Sequence, residues 1–400
     1  NPKIRFKGFT KDWEQRKLGE VFKEYSEKNH TELPALTIIQ GGGTVKREDS
    51  DRNLMYDESN LSNYKMVRKD DFIVHLRSFE GGLEKSALDG IVSPAYHTFH
   101  SDVADSRFYY PYFRSHEFIK HKLVPHVYGI RDGRSIDIDG MKIIEIPYTS
   151  MEEQRQIGDY LESLDHLITL HQRKCEQTKN LKKYMLQKMF PQNGAKVPEI
   201  RFNGFTHDWE QRKLGDLVDR VTRKNQDLVS ELPLTISAQY GLIDQNEFFD
   251  KRVASKDVSG YYLIENGEFA YNKSTSTDAP WGAIKRLDRY ENGVLSTLYI
   301  VFGIKENNPV DSDFLVSYYS TNLWHKGIHE IAAEGARNHG LLNIAPADFF
   351  ETRLMIPQDI EEQKKIGKYF IELEALITLH QRQCDELKKM KKYMLQNMFI

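Results

Sequence analysis

Residues 151–190 decide the fold, and they read MEEQRQIGDYLESLDHLITLHQRKCEQTKNLKKYMLQKMF. The chain repeats this stretch without a gap at residues 361–399, which read EEQKKIGKYFIELEALITLHQRQCDELKKMKKYMLQNMF. Neither copy contains proline. In both copies acidic residues concentrate in the first half and basic residues in the last, which suits a helix dipole. At ~1.5 Å per residue, each copy predicts a helical rod of roughly 60 Å.

Apolar residues in both copies step by alternating fours and threes, which is the heptad pattern of a coiled coil. Two rods with matching seams are expected to pack on each other. Two histidines fall in the middle of the seam, where we expect packing residues close to a pseudo-twofold axis rather than metal ligands. The predicted helix-pair seam consists of Ile157, Leu161, Leu164, Ile168, His171 and Cys175 with Ile366, Phe370, Leu373, Ile377, His380 and Cys384.

Length and composition indicate a soluble chain of two or three domains. Of the 400 residues, 39% are hydrophobic and 29% charged, and the net charge is −3. A free-standing DNA-binding protein usually carries a basic excess, so a nucleic-acid role needs local basic surfaces or partners that supply charge. The two cysteines give neither a metal motif nor a disulfide framework, and no apolar run approaches the ~18 residues that cross a bilayer. The expected location is therefore the reducing cytoplasm, with no membrane contact.

The N-terminal segment of the chain is also repeated. Residues 1–20 read NPKIRFKGFTKDWEQRKLGE, and residues 198–216 read PEIRFNGFTHDWEQRKLGD. The chain is thus a tandem duplication of a short segment, a variable region and a rod, which normally folds as two similar units about a pseudo-twofold axis. The aromatic residues of the short segments are expected to anchor them against the rods, and these residues are Phe6, Phe9, Trp13, Phe202, Phe205 and Trp209.

The two variable regions, about 21–146 and 217–356, differ in sequence but share a skeleton. Short runs rich in Val, Ile, Tyr and Phe recur in the same order in both and predict strands. A helical candidate follows, at Tyr110–Leu123 or Ser312–Ile331, and then a Gly/Arg-rich loop and a strand that ends in Ile-Pro. The predicted fold class is α+β, with two similar α/β globules separated by two long antiparallel helices that pack as a coiled coil.

Signatures of an enzyme are absent from the sequence. The glycine-rich run at residues 40–45 lacks the GxxxxGK[ST] spacing of a phosphate-binding loop, so we expect a turn whose open amides could touch a phosphate backbone. No Asn-Pro-Pro-Tyr, HExxH, GxSxG or Cys/His cluster occurs. A chain that keeps two nearly identical rods and varies two globules is typical of a reader of two different targets. We identify no catalytic, cofactor-binding or metal-binding residue.

Sequence-specific DNA contact favours Arg or Lys for guanine and Asn or Gln for adenine, on loops near the phosphates. Two loops recur at matched places in both globules, one after a predicted strand and one in the Gly/Arg-rich segment. The candidate DNA-binding residues on these loops and beside the glycine-rich turn are Lys46, Arg47, His75, Arg77, Ser78, Arg131, Arg134, Asn272, Lys273, Ser274, Ser276, Trp281, Arg337, Asn338 and His339.

The order of these elements strongly resembles the specificity (S, HsdS) subunit of type I restriction–modification systems. The resemblance covers essentially the whole chain. It rests on the two FxGFxxDWEQRKLG segments and on the Ile-Pro…Glu-Glu-Gln…Ile-Gly join before each long helix. The KKYMLQxMF helix ends look like the version common in Gram-positive bacteria, similar to the staphylococcal one.

The resemblance implies a DNA sequence-specificity subunit that is not an enzyme on its own. The globules would be target recognition domains, each reading one half of a bipartite DNA site, and the rods would set the spacer and dock two modification (M) subunits. Restriction (R) subunits would complete the complex, and S-adenosylmethionine, ATP and Mg²⁺ would belong to these partners. The implied domains are a conserved segment at 1–20, a target recognition domain at 21–146, a long helix and linker at 147–196, a repeated segment at 197–216, a target recognition domain at 217–356 and a long helix at 357–400.

Other interpretations remain open at this point. A related split-site system, whose partner fuses nuclease and methylase, would use a similar specificity component. A coiled-coil scaffold whose globules bind proteins would show no salt-dependent affinity for DNA even with partner subunits present. An enzyme with scattered nuclease carboxylates would act on DNA unaided in the presence of Mg²⁺ and S-adenosylmethionine.

Overall fold

The computed structural model describes residues 2–50, 58–75, 82–129, 135–237, 240–251, 253–276, 279–307, 310–332 and 342–399. The chain divides into two compact units. The first unit consists of Asn1–Gln172 and Gln381–Ile400, and the second consists of Arg173–His380. The domain boundaries expected from the sequence divide the chain on other grounds and stay predictions.

The first unit is a mixed globule of short strands and helices. Among its described residues the strands are β1 (Glu14–Lys17), β2 (Lys23–Tyr25), β3 (Leu36–Ile39), β4 (Gly43–Lys46), β5 (Lys65–Val67), β6 (Phe72–His75), β7 (Glu84–Lys85), β8 (Gly90–Val92), β9 (Tyr96–His100), β10 (Val127–Tyr128), β11 (Ser135–Ile136) and β12 (Glu145–Tyr148). The α-helices are α1 (Leu18–Val21), α2 (Ser106–Phe113), α3 (Ile138–Lys142) and the first part of α4 (Met151–Lys188).

The second unit contains the end of α4 and a second set of elements. Among its described residues the strands are β13 (Glu210–Lys213), β14 (Val218–Val221), β15 (Leu234–Ser237), β16 (Gly241–Asp244), β17 (Tyr262–Glu265), β18 (Phe269–Asn272), β19 (Ala283–Arg286), β20 (Asn292–Leu295), β21 (Ile300–Ile304) and β22 (Arg353–Ile356). The helices are α5 (Leu214–Leu217), α6 (Gln245–Phe249), α7 (Ser312–Tyr318), α8 (His325–Ile331), α9 (Pro346–Glu351) and α10 (Ile360–Met398), whose last part belongs to the first unit.

The two units have the same sheet topology. The four-stranded sheet has the order β2-β9-β6-β7 in the first unit and β14-β21-β18-β19 in the second. The pairs β1–β12, β3–β4 and β5–β8 of the first unit correspond to β13–β22, β15–β16 and β17–β20 of the second. All of these pairs are antiparallel. The predicted fold class, α+β with two similar globules, is confirmed.

Aromatic side chains form the core beneath each four-stranded sheet. In the first unit Phe72 of β6 and Phe113 of α2 pack with ring centroids 5.0 Å apart, and both are fully buried. In the second unit Phe269 of β18 stacks on Phe302 of β21 at 5.3 Å. A central strand covered on both faces needs apolar residues without alternation, which explains why β6 and β18 are continuous apolar runs.

The structure interrupts both predicted globule helices. The segment Tyr110–Leu123 becomes α2 and a separate π-helical turn at Phe118–Leu123, and the segment Ser312–Ile331 becomes α7 and α8. In the second break the Thr321 hydroxyl donates to the Tyr318 carbonyl at 2.7 Å. A threonine hydroxyl that bonds a nearby carbonyl competes with the hydrogen bonds of the helix backbone, so it favours the end of α7 here. The apolar pattern of the sequence continues past this point and therefore predicted one longer helix.

The two predicted rods are confirmed as α4 and α10, with 38 and 39 residues. At ~1.5 Å per residue, each is roughly 57 to 59 Å long. Both rods are capped at their N-terminal ends, because Asp359 accepts a hydrogen bond from the Glu361 amide at 2.8 Å and Ser150 accepts one from the Glu153 amide at 3.4 Å. In the described part of the chain, no helix has the length and apolar character that a bilayer span requires.

Candidate nucleic-acid interface

A buried glutamate near the start of α4 holds the N-terminal segment in the first unit. Glu153 accepts hydrogen bonds from Arg5 Nε at 2.6 Å, from Arg5 Nη2 at 2.8 Å and from Trp13 Nε1 at 3.1 Å, and the Thr149 hydroxyl also donates to it. Burial raises the pKa of Glu153, but the hydrogen bonds from Arg5 and Thr149 outweigh burial, so its pKa lies below the ordinary value. The carboxylate therefore stays ionised although its side chain is 1% exposed.

The second unit repeats this arrangement at the start of α10. Glu362 accepts hydrogen bonds from Arg201 Nε at 2.6 Å and Nη2 at 2.8 Å, and from Trp209 Nε1 at 3.3 Å. The hydrogen bond to Glu362 raises the pKa of Arg201 and outweighs burial, so the guanidinium stays charged. The expectation that the tryptophans anchor the short segments against the rods is confirmed.

The glutamine that follows each glutamate ties the rod to the globule. Gln154 Oε1 accepts a hydrogen bond from the Asp105 amide at 2.9 Å, and its Nε2 donates to the Thr149 carbonyl at 2.8 Å. Gln363 Oε1 accepts from the Asp311 amide at 2.8 Å in the second unit. Since Asp105 and Asp311 cap α2 and α7, the Glu-Gln pair joins three elements at one point.

The single glycine in each rod allows α2 and α7 to approach the rod backbone. A Cβ atom at Gly158 would lie 3.0 Å from Arg107 Cβ, and one at Gly367 would lie 2.6 Å from the Phe314 amide nitrogen. The second distance is shorter than any ordinary contact. The glycines therefore fix where the globules rest on the rods.

In the first unit the start of α4 lies beside the end of α10. Trp13 contacts Glu153 near the start of α4, and its ring centroid lies 6.3 Å from that of Phe399, which follows α10. Twelve positions further along α4, Asp165 pairs with Lys391, which precedes Phe399. The two helix segments therefore run antiparallel within this unit.

The second unit shows the same antiparallel packing with the helices exchanged. Trp209 contacts Glu362 near the start of α10, and its ring centroid lies 5.9 Å from that of Phe190, which follows α4. Further along α10, Glu374 pairs with Lys182 of α4.

The predicted seam positions are the covered face of both rods. His171 and His380 are half-buried, and because one lies in each unit, their closeness to an axis stays a prediction. Both cysteines are buried free thiols. The buried seam residues are Ile157, Leu161, Leu164, Ile168, Cys175, Ile366, Phe370, Leu373, Ile377 and Cys384.

Two candidate DNA-binding residues end the central strand at matched positions. His75 ends β6 and packs edge-on against Tyr96 of β9, with ring centroids 4.8 Å apart. Asn272 ends β18, and its Nδ2 donates to the Tyr299 hydroxyl at 3.3 Å. The frame is therefore the same in both units, while the side chain at the strand end differs.

Lys273 connects two of the predicted loops in the second unit. Its carbonyl accepts a hydrogen bond from the Leu342 amide at 3.0 Å, and its Nζ donates to the Ile344 carbonyl at 3.4 Å. Burial lowers the pKa of Lys273. The structure gives this lysine a packing role between loops, which leaves its ammonium less accessible than a free surface lysine.

The remaining described candidates of the second unit lie beside Lys273. Ser274 and Ser276 are exposed. The Ser274 amide donates to the Asn272 side-chain oxygen at 3.0 Å, which orients the start of the loop. Trp281 is half-buried, and its ring centroid lies 5.0 Å from that of His329.

The glycine-rich turn of the first unit does not have open amides. The Gly41 amide donates to Glu84 Oε1 at 2.8 Å, and the Gly43 amide donates to Glu84 Oε2 at 3.3 Å. Both glycines have positive φ, at 82° and 71°, which a residue with a side chain rarely adopts. The expectation that these amides are free for a phosphate is therefore wrong, because a carboxylate of the same unit occupies them.

Lys46 and Arg47 follow this turn at the end of β4. Lys46 Nζ lies 3.7 Å from Glu48 Oε1, and both side chains are substantially exposed. The Arg47 guanidinium lies 5.4 Å from the centroid of the Tyr64 ring. Both cations stay within reach of solvent and of a ligand at this face.

Seven of the candidate DNA-binding residues lie in parts of the chain that the structure does not describe. Their role stays a prediction, and they are Arg77, Ser78, Arg131, Arg134, Arg337, Asn338 and His339.

A hydrogen-bonded cluster lies at the strand ends of the first four-stranded sheet. Asp71, which is 4% exposed, accepts a hydrogen bond from the Tyr25 hydroxyl and lies 2.6 Å from His100 Nδ1. The hydrogen bond to Asp71 raises the pKa of His100 and outweighs burial. These three residues are far apart in the chain, so no local spacing indicates the cluster.

The first unit also contains an open groove of about 830 Å³ between the glycine-rich turn and α4. Basic side chains line it together with a similar number of carboxylates, and Arg107 is already paired with Asp105 and Asp159. Among the described residues, no group of three His, Cys, Asp or Glu side chains is arranged to hold a metal ion.

Comparison with known proteins gives a family match in the first half of the chain. Residues 10–180 match the family model Methylase_S, described as the type I restriction modification DNA specificity domain. This match covers the second half of the first short segment, the first globule and most of α4. The second copies of the short segment and the rod lie beyond it.

Solved structures extend the likeness to the whole chain. The S subunit of a type I restriction–modification system from M. genitalium is 17% identical, with 100% of this chain and 99% of that chain covered and a TM-score of 0.60. The HsdS subunit from Thermoanaerobacter tengcongensis is 16% identical over 97% of this chain and 96% of that one, with a TM-score of 0.44. A chain from a structure on complex assembly and conformational transition of the type I R-M system is 18% identical over 96% of each chain, with a TM-score of 0.42.

The family match supplies the type of domain, and the M. genitalium structure supplies the fold of the complete chain. The hydrogen-bonded Glu-Gln pair and the antiparallel rods recur in both units, so the second half is built like the half that the family model matches. Residues 10–180 of the protein therefore match the type I restriction modification DNA specificity domain, and the complete chain has the fold of the S subunit from M. genitalium.

Proposed function

We propose that each globule reads one half of a bipartite DNA site. The observation that carries this proposal is that one sheet topology recurs in both units with different side chains at equivalent positions. His75 and Asn272 end the equivalent strands β6 and β18, and both side chains are partly exposed. A constant frame with a changing surface suits recognition of two unlike base sequences.

In this proposal α4 and α10 set the number of unspecified base pairs between the half-sites. Half-sites read from one face of B-DNA lie ~34–36 Å apart, and a rod of nearly 60 Å is long enough to hold two reading surfaces at that distance. Within each unit the two rods pack antiparallel, which favours a stiff helix pair beneath each globule.

The proposed partners are two M subunits that dock on the long helices. Exposed apolar residues of surface helices often mark a protein interface. Such residues recur on both rods outside the seam, at positions displaced by 209, and they are Leu167, Leu170, Leu181 and Tyr184 on α4 with Leu376, Leu379, Met390 and Tyr393 on α10. The recurrence supports two equivalent docking surfaces.

In the proposed complex, this chain recognises the DNA site and the partner subunits carry out the reactions. R subunits would join the M subunits, and S-adenosylmethionine, ATP and Mg²⁺ would be bound by these partners, in the cytoplasm. With a net charge of −3, this chain would rely on partner subunits for part of the positive charge that surrounds the DNA.

The test is to sequence the methylated adenines in cells that express this chain with its cognate M subunit. The proposal expects one bipartite motif with a fixed gap. A contiguous motif, or no new methylation, contradicts it. Methylation or cleavage by the purified chain alone with Mg²⁺ and S-adenosylmethionine would favour an enzyme. A partner that contains nuclease and methylase in one chain would indicate the related split-site system.

A further inference from the structure

The β3–β4 hairpin of the first unit has an exposed tip and a buried anchor. Ile39, Gln40, Gly41 and Gly42 are exposed, whereas Gly43 at the start of β4 is buried. The hairpin is tight, because Ile39 pairs with Gly43 in the antiparallel register. The tip thus presents two side chains, one apolar and one amide, on a backbone that the adjacent strand holds.

The anchor is the carboxylate of Glu84, which is 5% exposed. Besides the amides of Gly41 and Gly43, it accepts a hydrogen bond from the Tyr110 hydroxyl at 2.7 Å, and Arg114 Nε lies 3.4 Å from it. Glu84 begins β7, and Tyr110 belongs to α2. One side chain therefore connects the hairpin to the sheet edge and to a core helix.

In the described part of the second unit, a lysine takes the place of this glutamate. Ile73 of β6 pairs with Glu84, and the equivalent Ala270 of β18 pairs with Lys285 of β19. A lysine has no acceptor for backbone amides, so the hairpin β15–β16 cannot be held in the same way. The Glu84 anchor is therefore a feature of the first globule, and the shared fold forms without a glutamate at this position.

The chemistry of the hairpin suits the major-groove edge of an A·T pair. An amide such as that of Gln40 can bond the N6 and N7 atoms of adenine, and an apolar side chain such as that of Ile39 can contact the thymine methyl group. Lys46 and Arg47 at the base of the hairpin supply cations for phosphates.

We infer that the β3–β4 hairpin is a specificity-determining element of the first globule, with Gln40 reading an adenine and Glu84 acting as the positioning residue that holds the tip. This inference rests on the proposed function. A reading side chain on a flexible two-stranded hairpin loses discrimination through disorder, and the four-group anchor on Glu84 removes that freedom.

The experiment uses the full-length chain with its cognate M subunit on a plasmid library with a randomised target, and methylated adenines are sequenced. Gln40→Ala is expected to lower discrimination at one A·T position of one half-site by about tenfold. Glu84→Gln keeps the side-chain volume but provides one acceptor where the carboxylate provides two, so it is expected to relax the same position. Lys285→Ala is the matched control in the other globule and leaves this half-site unchanged.

Folding and function are separated by two further measurements. The melting temperature of the Glu84→Gln complex shows whether the variant is folded, and amide exchange is expected to be faster at residues 39–43 than in the parent chain. An unchanged motif in either Gln40→Ala or a folded Glu84→Gln overturns the inference, and so does equal relaxation of both half-sites. If the parent chain itself directs no methylation of a bipartite site, that result contradicts the proposed function and not the role of the hairpin.

Discussion

At the N-terminal end of α4, the carboxylate of Glu153 accepts hydrogen bonds from the distant N-terminal segment and from Thr149, which follows β12. Replacing Glu153 by alanine would remove the carboxylate partner of the Arg5 guanidinium, which is 16% exposed, and would leave it the Lys11 carbonyl as acceptor. Breaking such a buried pair costs about 3–5 kcal/mol, because one charge remains buried. We therefore expect Glu153→Ala to lower the free energy of unfolding by about 3–5 kcal/mol in urea titrations.

The adjacent glutamate provides the control for this substitution. Glu152 is exposed, and Glu152→Ala should change the free energy of unfolding by less than about 0.5 kcal/mol. Equal losses in the two variants would show that the buried pair has no special role.

His100 predicts a pH-dependent contribution to the stability of the first unit. Its pKa is raised above the ordinary value of 6.5, because the hydrogen bond to Asp71 outweighs burial. The folded state therefore binds the proton more tightly than the unfolded state. The stabilisation is complete below the unfolded pKa and is lost as the pH rises through the raised folded value.

The measurement is urea unfolding of the parent and His100→Asn chains at about pH 5.5 and about pH 8.5. The substitution is expected to cost more stability at the lower pH. An exposed residue without a titratable side chain, Gln156, serves as the control, and Gln156→Asn should cost the same at both values. A His100→Asn loss that does not depend on pH would contradict the assignment.

Among the elements, the long rods could be predicted from the sequence, whereas the anchor of the β3–β4 hairpin and the end of α7 could not. A stretch of about forty residues that occurs twice predicts both ends of α4 and α10 to within two residues, because its hydrophobic pattern is local and continuous. The anchor of the hairpin could not be predicted, since Glu84 meets Gly41 only through a long-range pairing. The break in the helix after Tyr318 depends on one threonine hydroxyl, which periodicity does not register.

The rod glycines make a matched pair for testing how helices rest on each other. In an exposed helix, Gly→Ala stabilises by roughly 1 kcal/mol. At Gly367 the new methyl group would meet backbone atoms at 2.6 Å, so Gly367→Ala is expected to destabilise by about 1–3 kcal/mol. At Gly158 the nearest atoms are Arg107 Cβ at 3.0 Å and the Phe108 amide nitrogen at 3.3 Å, so a smaller displacement relieves the contact and the cost should be smaller.

Thermal or urea unfolding of both variants tests this difference. The order of stability expected is parent or Gly158→Ala first and Gly367→Ala last. If Gly367→Ala were as stable as Gly158→Ala, the close approach of α7 to α10 would not limit the packing of the second unit.

For the whole molecule, the proposal predicts independent half-sites. Exchanging residues 21–146 for the equivalent region of another specificity protein should change one half of the methylated motif and leave the other half and the gap intact. The reason is that the first globule meets its rod through the Glu-Gln pair, which the exchange leaves in place on α4. Methylome sequencing of the chimera measures the outcome, and a change in both halves would contradict the modular reading.

The fold of the whole chain could be predicted because the two halves of the sequence can be compared, and the comparison shows which segments they share. The candidate DNA-binding residues could be predicted only in part. Lys273 illustrates the difficulty: a lysine in a loop suits a phosphate contact, but its ammonium group donates to a buried carbonyl. Which loop cations are free depends on packing between segments far apart in sequence, and composition does not encode it locally.

The first unit needs the far end of the chain for its own core. The amides of Lys3 and Ile4 donate to the Asn397 carbonyl at 2.8 and 3.2 Å, and Met398 is buried among the residues of the first globule. Residues 173–380 of the second unit, in contrast, are continuous. On the ribosome, the globule that is translated first must therefore wait with an unsealed interior until residues 381–400 emerge, so the order of completion is the reverse of the order of synthesis.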